Sequence, residues 1–222
     1  MFSWGANLCF QLGHGDWNPR YQPQLVDQLP GRVRTASTST FHTLAVLQDN
    51  RLFGWGQNKE GQLGRNKTDS ERTIPAPKEI PHDIPEPIVR VDCGLNHALL
   101  LGESGQVYAF GNNALSQLGK EVLFASALQK PLRVDALAGV RVVDILAKSY
   151  FSFATTDTGQ LWGWGYSSDY QFGITREAQW SVPHLIAEAG PLLRMKNISS
   201  GGYHHYIHLQ KDLPHAGTRN SL

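Results

Sequence analysis

The sequence repeats itself four times at steps of 51, 55 and 54 residues. An aromatic-glycine pair marks each repeat, at Trp4-Gly5, Trp55-Gly56, Phe110-Gly111 and Trp164-Gly165. Six residues after each of these glycines a Gln-apolar-Gly triplet begins, and the triplets end in Gly13, Gly64, Gly119 and Gly173. One such pairing would be weak evidence, but four at an identical offset identify a tandem array of structural repeats.

A histidine supports the same frame. His42 and His97 each lie fourteen residues before the glycine of the next pair, and Phe151 replaces the histidine in the third repeat. In the last repeat His205 fits this place, and His204 is the alternative register. Short apolar runs follow, as in 43–47 and 98–101, then turn residues, then the strand that leads into the aromatic-glycine pair. This pattern predicts β-hairpins, in which we expect the histidines to hydrogen-bond inside their own blades.

The fold class expected is therefore all-β. Four strands in a unit of about 50 residues are typical of a β-propeller blade with a long repeat. We expect about four four-stranded antiparallel blades, with units near 1–56, 57–111, 112–165 and 166–211 and an irregular tail at 212–222. No segment has a convincing helical period, because glycine and proline interrupt the chain too often.

The repeat residues have structural roles in this scheme. The glycines of the pairs are expected where φ is positive or where another backbone approaches too closely for a Cβ, and the triplet glycines where a turn ends with positive φ. The four aromatic rings, Trp4, Trp55, Phe110 and Trp164, are expected to pack between adjacent blades.

These residues carry a resemblance to a known family. The pattern Trp-Gly-x-Asn-x-x-x-Gln-Leu-Gly at 4–13 and 55–64 resembles the repeat of the regulator of chromosome condensation family, and 93–97 matches its second half. The resemblance covers Met1 to about Lys211, and the openings of the first two repeats are similar to secretion-regulating guanine nucleotide exchange factors. It implies a seven-bladed propeller, in a family whose members exchange nucleotide on small GTPases or serve as binding scaffolds.

The repeat count departs from the family pattern, since four repeats stand where seven are expected. No fifth aromatic-glycine pair follows Lys211, so a fragment, an isoform and an incomplete gene model stay open. With blades cut for seven-fold geometry we expect an open, poorly stable arc that can oligomerise through its open blade edges. The alternative is a closed four-bladed ring in which the Phe2–Gly5 strand pairs with the Tyr203–Leu209 strand.

Composition excludes several classes of function. Lys+Arg (20) nearly balances Asp+Glu (19) with no basic stripe, so nucleic-acid binding is not predicted. No apolar run approaches the roughly 20 residues of a membrane span. Two cysteines at unrelated repeat positions, Cys9 and Cys93, predict a reduced protein of the cytoplasm or the nucleus.

Catalytic and metal chemistry have little support. His204 and His208 share a strand face, but four residues span about 13 Å, too far for one zinc ion. No nucleophile elbow, phosphate loop or zinc-hydrolase motif occurs. We therefore expect no metal, no cofactor and no catalytic side-chain constellation. Whether the chain is an enzyme stays uncertain, because exchange activity would rest on the resemblance alone.

Partner-binding candidates lie where the blade pattern explains nothing. Trp17 and Trp180 follow Gln-apolar-Gly triplets, and either is exposed for binding or buried against the blade edge. The segments 65–87, which begins with Arg65, and 120–130, which contains Phe124, are either recognition loops or tolerated insertions. Two functions follow: a module that binds another protein, and, as the alternative, a guanine nucleotide exchange factor for a small GTPase.

Overall fold

The computed structural model describes residues 1–65, 72–120, 127–173, 176, 178–190, 193–200 and 204–211, with the backbone alone at 193–196, 205 and 211. Sixteen strands run through this part of the chain: β1 (Phe2–Gly5), β2 (Arg20–Leu25), β3 (Val33–Thr38), β4 (His42–Leu47), β5 (Leu52–Gln57), β6 (Thr73–Ile80), β7 (Ile88–Cys93), β8 (His97–Gly102), β9 (Val107–Asn112), β10 (Ala127–Arg133), β11 (Val142–Lys148), β12 (Phe151–Thr156), β13 (Gln160–Ser167), β14 (Ala178–Glu188), β15 (Leu193–Ser200) and β16 (His205–Lys211). One turn of 3-10 helix, Asp135–Leu137, interrupts the strands.

The strands form antiparallel blades, which confirms the all-β propeller prediction. Three sheets have four strands each, β3–β6, β7–β10 and β11–β14, in chain order. The other described strands form two separate two-stranded sheets, β1–β2 in the first blade of the arc and β15–β16 in the last. Since β1 and β16 do not pair, the described strands form an open arc and the closed four-bladed ring is not formed.

Burial explains which strands take which place in a blade. The second strands β4, β8 and β12 are buried along their whole length, as inner strands of a blade with neighbours on both faces should be. The last strand of a sheet is an edge, where a missing backbone N–H is tolerated. Proline accordingly occurs in each of the last strands β2, β6, β10 and β14, at Pro23, Pro75, Pro77, Pro131 and Pro183.

Adjacent blades meet through an aromatic ring and a glycine. The fully buried Trp55 ring covers Gly13 of the preceding repeat, so a Cβ there would lie 2.7 Å from its Nε1. The indole N–H donates to the carbonyl oxygen of Gln11 at 2.9 Å. Trp164 repeats both contacts, with Gly119 and with the Gln117 carbonyl at 3.0 Å.

Two expectations about repeat residues are wrong. Trp4 does not pack between blades: its side chain is 60% exposed, because no described sheet lies against that face of β1. The side chain of His97 bonds to the next blade and not inside its own. Its Nε2–H donates to Ser152 Oγ at 2.9 Å, because that hydroxyl gives its own proton to the Gln117 carbonyl.

His42 bonds inside its own blade as expected, with Nδ1 2.8 Å from Ser39 Oγ. Burial lowers the pKa of both His42 and His97 to about 3, so both rings are neutral near pH 7. The side chain of His205 and the tail at 212–222 lie outside the described residues. The unit boundaries stay a prediction.

Candidate protein-binding surface

The loop that follows the first triplet presents a tryptophan to solvent. We call residues 13–20 the Trp17 loop; it connects the turn after β1 to the start of β2. Trp17 lies at the centre of this loop and is 68% exposed. Its ring makes an edge contact with Phe10, with 6.1 Å between the ring centroids.

The Trp17 loop is held from below by Asn7. This side chain is buried; its Oδ1 accepts the N–H of Leu12 at 2.9 Å. Its Nδ2 donates to the carbonyl oxygens of Asp16 at 2.7 Å and Asn18 at 3.1 Å, on either side of Trp17. One amide therefore fixes the backbone on both sides of the exposed ring.

A charged pair closes the same loop. Arg20 donates from Nη2 and Nη1 to the two carboxylate oxygens of Asp16, at 2.8 and 3.1 Å. The hydrogen bond from Arg20 lowers the pKa of Asp16, so the pair stays ionised at neutral pH. Gly15 also donates its N–H to the Pro75 carbonyl in β6 of the next blade at 3.0 Å. The loop is thus tied to two blades.

Sequence reasoning missed other apolar residues near Trp17 in the chain. Leu8 and Tyr21 are almost fully exposed, and Phe10 is half-buried with φ of +62°. A signal was present for Leu8, since the other repeats have Lys59, Ala114 and Ser168 at its position. Together with Trp17, Leu8 and Tyr21 give the first blade an exposed apolar segment, of a kind that marks interaction sites.

Trp180 lies in a different setting. It belongs to β14, is half-buried and stacks on Phe172 with 4.5 Å between centroids and 9° between the planes. The His184 ring stacks on Trp180 with 4.6 Å between the ring centroids. The ring therefore packs against the blade edge, the second of the two expected positions, and a binding role for Trp180 stays a prediction.

The segment 65–87 divides into blade structure and a part outside the described residues. Arg65 donates from Nη2 to the Glu79 carbonyl in β6. Glu86 accepts hydrogen bonds from the N–H of Ser104 at 2.7 Å and the hydroxyl of Tyr108 at 3.1 Å. Its backbone carbonyl accepts from Asn50 Nδ2 at 3.0 Å. The described end of this segment ties two blades together.

Phe124 and its neighbours at 121–126 lie outside the described residues, so its role stays a prediction. Within the described part of the chain, no three His, Cys, Asp or Glu side chains stand close enough to share a metal ion. No helix in that part is long and apolar enough to cross a membrane.

Comparison with known proteins places these features in a family. Two family models of the regulator of chromosome condensation (RCC1) repeat match, one at residues 1–46 and 49–101, the other at 33–62 and 88–117. The ultraviolet-B receptor UVR8 of Arabidopsis thaliana is 32% identical over 78% of this chain and 38% of its own length. The protein RCC2 homolog of Xenopus laevis is 29% identical over 84% of this chain and 40% of its own.

Solved structures agree on the fold. Human WBSCR16 superposes with a TM-score of 0.79 and 28% identity, over 90% of this chain and 52% of its own. Yeast RCC1 (Prp20), solved bound to Kap60, superposes with a TM-score of 0.81 and 21% identity, over 96% and 50%. The chain thus spans about two fifths to half the length of these relatives. Its four repeats, its blades and the matching family models show that the chain belongs to the regulator of chromosome condensation (RCC1) repeat family.

Proposed function

We propose that this chain is a protein-interaction module and that the Trp17 loop is its contact surface. The observation that carries the proposal is an exposed tryptophan on a loop whose backbone is fixed on both sides by the buried amide of Asn7. A fixed loop loses little entropy on binding, and tryptophan is over-represented among residues that dominate binding energy.

The chemistry of the surface defines the kind of partner. Leu8, Trp17 and Tyr21 offer apolar area, while Arg20 and Asp16 neutralise each other. The partner expected is therefore a protein that presents an apolar patch with a polar rim. A related fold has protein partners: Prp20p of Saccharomyces cerevisiae was solved together with a study of its binding to Gsp1p and histones.

The test compares two exposed tryptophans. Trp17→Ala should weaken partner binding at least about tenfold, the effect of losing one dominant interface tryptophan. Trp4→Ala is the matched control, because it also removes an exposed indole from the first blade. Binding of isolated, identified partners would be titrated for both variants after melts show them equally stable. If Trp17→Ala binds every such partner as the parent does, the Trp17 loop is not the contact surface.

Nucleotide exchange on a small GTPase is the alternative that the resemblance implied, and it stays a prediction. It is tested by release of a fluorescent guanine nucleotide from a panel of small GTPases. Acceleration by the chain would favour exchange over a pure binding role. A location in the cytoplasm or nucleus also stays a prediction.

A further inference from the structure

Three complete blades leave a small pocket where their short loops meet. The loops join β3 to β4, β7 to β8 and β11 to β12, and each of these blades has four strands. The pocket has a volume of about 100 Å³ and is lined by 38–40, 93–95 and 148–149. No carboxylate is among these described residues. The pocket is therefore built from the same part of three successive repeats.

One repeat position beside this pocket carries three different residues. Ser39, Gly94 and Lys148 each lie three residues before the second strand of their blade begins. Gly94 is buried, and a Cβ there would collide with the ring of His97. Lys148 is exposed and brings a positive charge to a position that is neutral in the two preceding blades. The pocket therefore has a cationic side and a side without a side chain.

The pocket holds three hydrogen-bond donors that the protein does not use itself. The side chains of Thr40, Lys148 and Ser149 all line it, and within the described part of the chain they make no hydrogen bond and no ion pair. The hydroxyl of Ser39, by contrast, is bonded to Nδ1 of His42 at 2.8 Å. Three donors from two loops are therefore left for a ligand.

The two acids nearest to the pocket in sequence are already paired. Asp92 accepts the hydroxyl of Ser37 with Oδ1 at 2.9 Å and the N–H of Ala147 with Oδ2 at 2.7 Å. Asp144 forms an ion pair with Arg90. The complement of the pocket is therefore a negatively charged group from another molecule.

The loops around the pocket are held in place before any ligand binds. Ser149 has φ of +41°, and it is the one non-glycine residue of these three loops with a positive φ. Its carbonyl accepts the N–H of Leu95 at 3.0 Å, which ties the loops of two blades together. The carbonyl of Thr40 accepts from Gln11 Nε2 at 3.3 Å. Strained backbone of this kind clusters at binding sites, and a fixed loop loses little entropy when a ligand binds.

Size and charge restrict what the pocket can hold. Since a water molecule occupies about 30 Å³, the pocket has room for roughly three waters, or for one polar group. Sites that enclose a whole small molecule are about 300–1,000 Å³, so the rest of the ligand must lie outside the pocket. One lysine balances a single negative charge, whereas phosphorylated ligands are typically bound by clusters of arginine. A carboxylate carried by a larger molecule meets both conditions.

The pocket lies on the same face of the blades as the Trp17 loop. In an antiparallel blade the first and third strands run in the same direction, so the loops that follow them lie at the same end. The pocket loops follow first strands, and the Trp17 loop follows β1, which carries the aromatic-glycine pair of a third strand. The hydrogen bond from Gln11 to Thr40 joins the turn before the Trp17 loop to the pocket. Both features are therefore presented to the same side.

We propose that this pocket binds the carboxylate of an aspartate or glutamate side chain of a protein partner, with Lys148 as its counter-ion and the hydroxyls of Thr40 and Ser149 as donors. That the carboxylate belongs to a protein rests on the proposed function, because the pocket shares its face with the Trp17 loop. The pocket itself does not depend on that function, so the two are tested separately.

Titration of the isotope-labelled chain with a blocked amino acid tests the pocket without any partner. The probe is aspartate with an acetylated amino group and an amidated carboxyl group, and asparagine blocked in the same way is the uncharged control. The amide NMR signals of Thr40, Leu95 and Ser149 should shift and saturate with aspartate at constant ionic strength, with a Kd on the order of 10 mM. Blocked asparagine should leave them in place.

Three variants identify the groups that bind. Lys148→Gln should raise the Kd for blocked aspartate at least about fivefold, because a charge-assisted hydrogen bond is lost. Thr40→Val removes one neutral donor at nearly equal volume and should raise the Kd about two- to threefold. Lys130→Gln is the matched control, since Lys130 is exposed in a different groove together with Asp49 and Glu79, and it should change nothing. Melts would check that the variants are equally stable.

The same measurements separate this inference from the proposed function. Trp17→Ala should leave the aspartate titration unchanged. For any protein partner whose binding Trp17→Ala weakens, Lys148→Gln should also raise the Kd at least about fivefold, and by less at high salt. Partner binding that Lys148→Gln leaves unchanged would mean that no carboxylate of the partner occupies the pocket.

Three further results would overturn the inference. One is the absence of a saturable shift with blocked aspartate. Another is an equal shift with blocked asparagine. The third is tighter binding of inorganic phosphate than of blocked aspartate at the same ionic strength, which would make the pocket a phosphate site.

Discussion

Trp4-Gly5 and Trp55-Gly56 are the same dipeptide in nearly the same backbone conformation, yet their surroundings are opposite. Gly5 and Gly56 have φ of +106° and +98°. Trp55 is fully buried and bonded to the Gln11 carbonyl, whereas Trp4 is mostly exposed. The comparison separates what the motif determines, a local bulged strand, from what neighbouring strands and blades determine, which is burial.

The largest expected effect is on the two indoles. Trp55→Ala should lower the free energy of unfolding by about 3–5 kcal/mol, because a large buried side chain leaves a cavity. Trp4→Ala should change it by less than about 1 kcal/mol, since the ring is mostly in solvent. Denaturant melts of both variants at low protein concentration measure the difference. Equal losses would show that the two rings share one environment.

The two glycines should differ in the same direction. Gly56→Ala combines an unfavourable positive φ with a Cβ 2.4 Å from a backbone carbonyl, and we expect a loss of about 2–4 kcal/mol. Gly5→Ala meets only the cost of φ, about 1 kcal/mol. The same melts apply, and a Gly5→Ala loss as large as that of Gly56→Ala would mean that a strand already lies against β1.

The sequence was sufficient for the blade, because a blade is built from local residues. Apolar runs, turn residues and the aromatic-glycine pairs set the strands and the positive φ of the pair glycines, and all of these lie within one repeat. The exposure of Trp4 could not be predicted, because the burial of this ring depends on a strand outside its own repeat. The prediction for the His97 side chain was wrong for a similar reason. Its partner Ser152 is 55 residues away, and no motif links the two.

The candidate site was predictable only in part. Trp17 and Trp180 follow their triplets in similar places, so position alone could not separate exposed from packed. A signal existed in the last triplet, where Phe172 replaces the leucine of the other three. That ring stacks on Trp180. Asn7 is part of the repeat pattern, and Asn58 and Asn113 accept the equivalent N–H in the next two repeats. The pattern does not show that the Nδ2 of Asn7 donates to the backbone on both sides of Trp17.

The buried histidines make the free energy of unfolding sensitive to pH. His97 has a pKa near 3 when folded and about 6.5 when unfolded, so acid protonates the unfolded chain first. The contribution of His97 to the free energy of unfolding is complete above pH 6.5. It is lost as the pH falls toward 3, at about 1.4 kcal/mol for each pH unit. His97→Gln removes this proton uptake and keeps a side-chain donor.

Between pH 6.5 and 5 the parent should therefore lose about 2 kcal/mol more stability than His97→Gln. Melts of both proteins across that range measure the difference. His42 titrates in the same direction and is present in both proteins. Asp92 and Asp144, whose pKa values burial raises, oppose the loss equally in both. Parallel pH curves would mean that His97 is protonated alike in the folded and unfolded chains.

The smallest expected effect concerns the contacts between adjacent blades, which differ in their side-chain hydrogen-bond donors. Trp55 and Thr43 both donate to the Gln11 carbonyl, at 2.9 and 2.8 Å, and Trp164 and Ser152 do the same at Gln117. The middle junction has Phe110 and Ala98 at these positions, neither of which has a side-chain donor. A blade junction therefore forms with or without the polar contact.

Trp55→Phe should cost only about 1 kcal/mol, because Thr43 still donates to the Gln11 carbonyl. Trp55→Phe with Thr43→Ala reproduces the side chains of the middle junction and leaves that carbonyl without either donor. The double variant should lose more than the sum of the two single variants, since an unpaired buried carbonyl costs more than a shared one. A double-mutant cycle from denaturant melts gives the coupling energy. A coupling energy of zero would mean that water replaces both donors. The apolar and polar junctions would then differ only in packing.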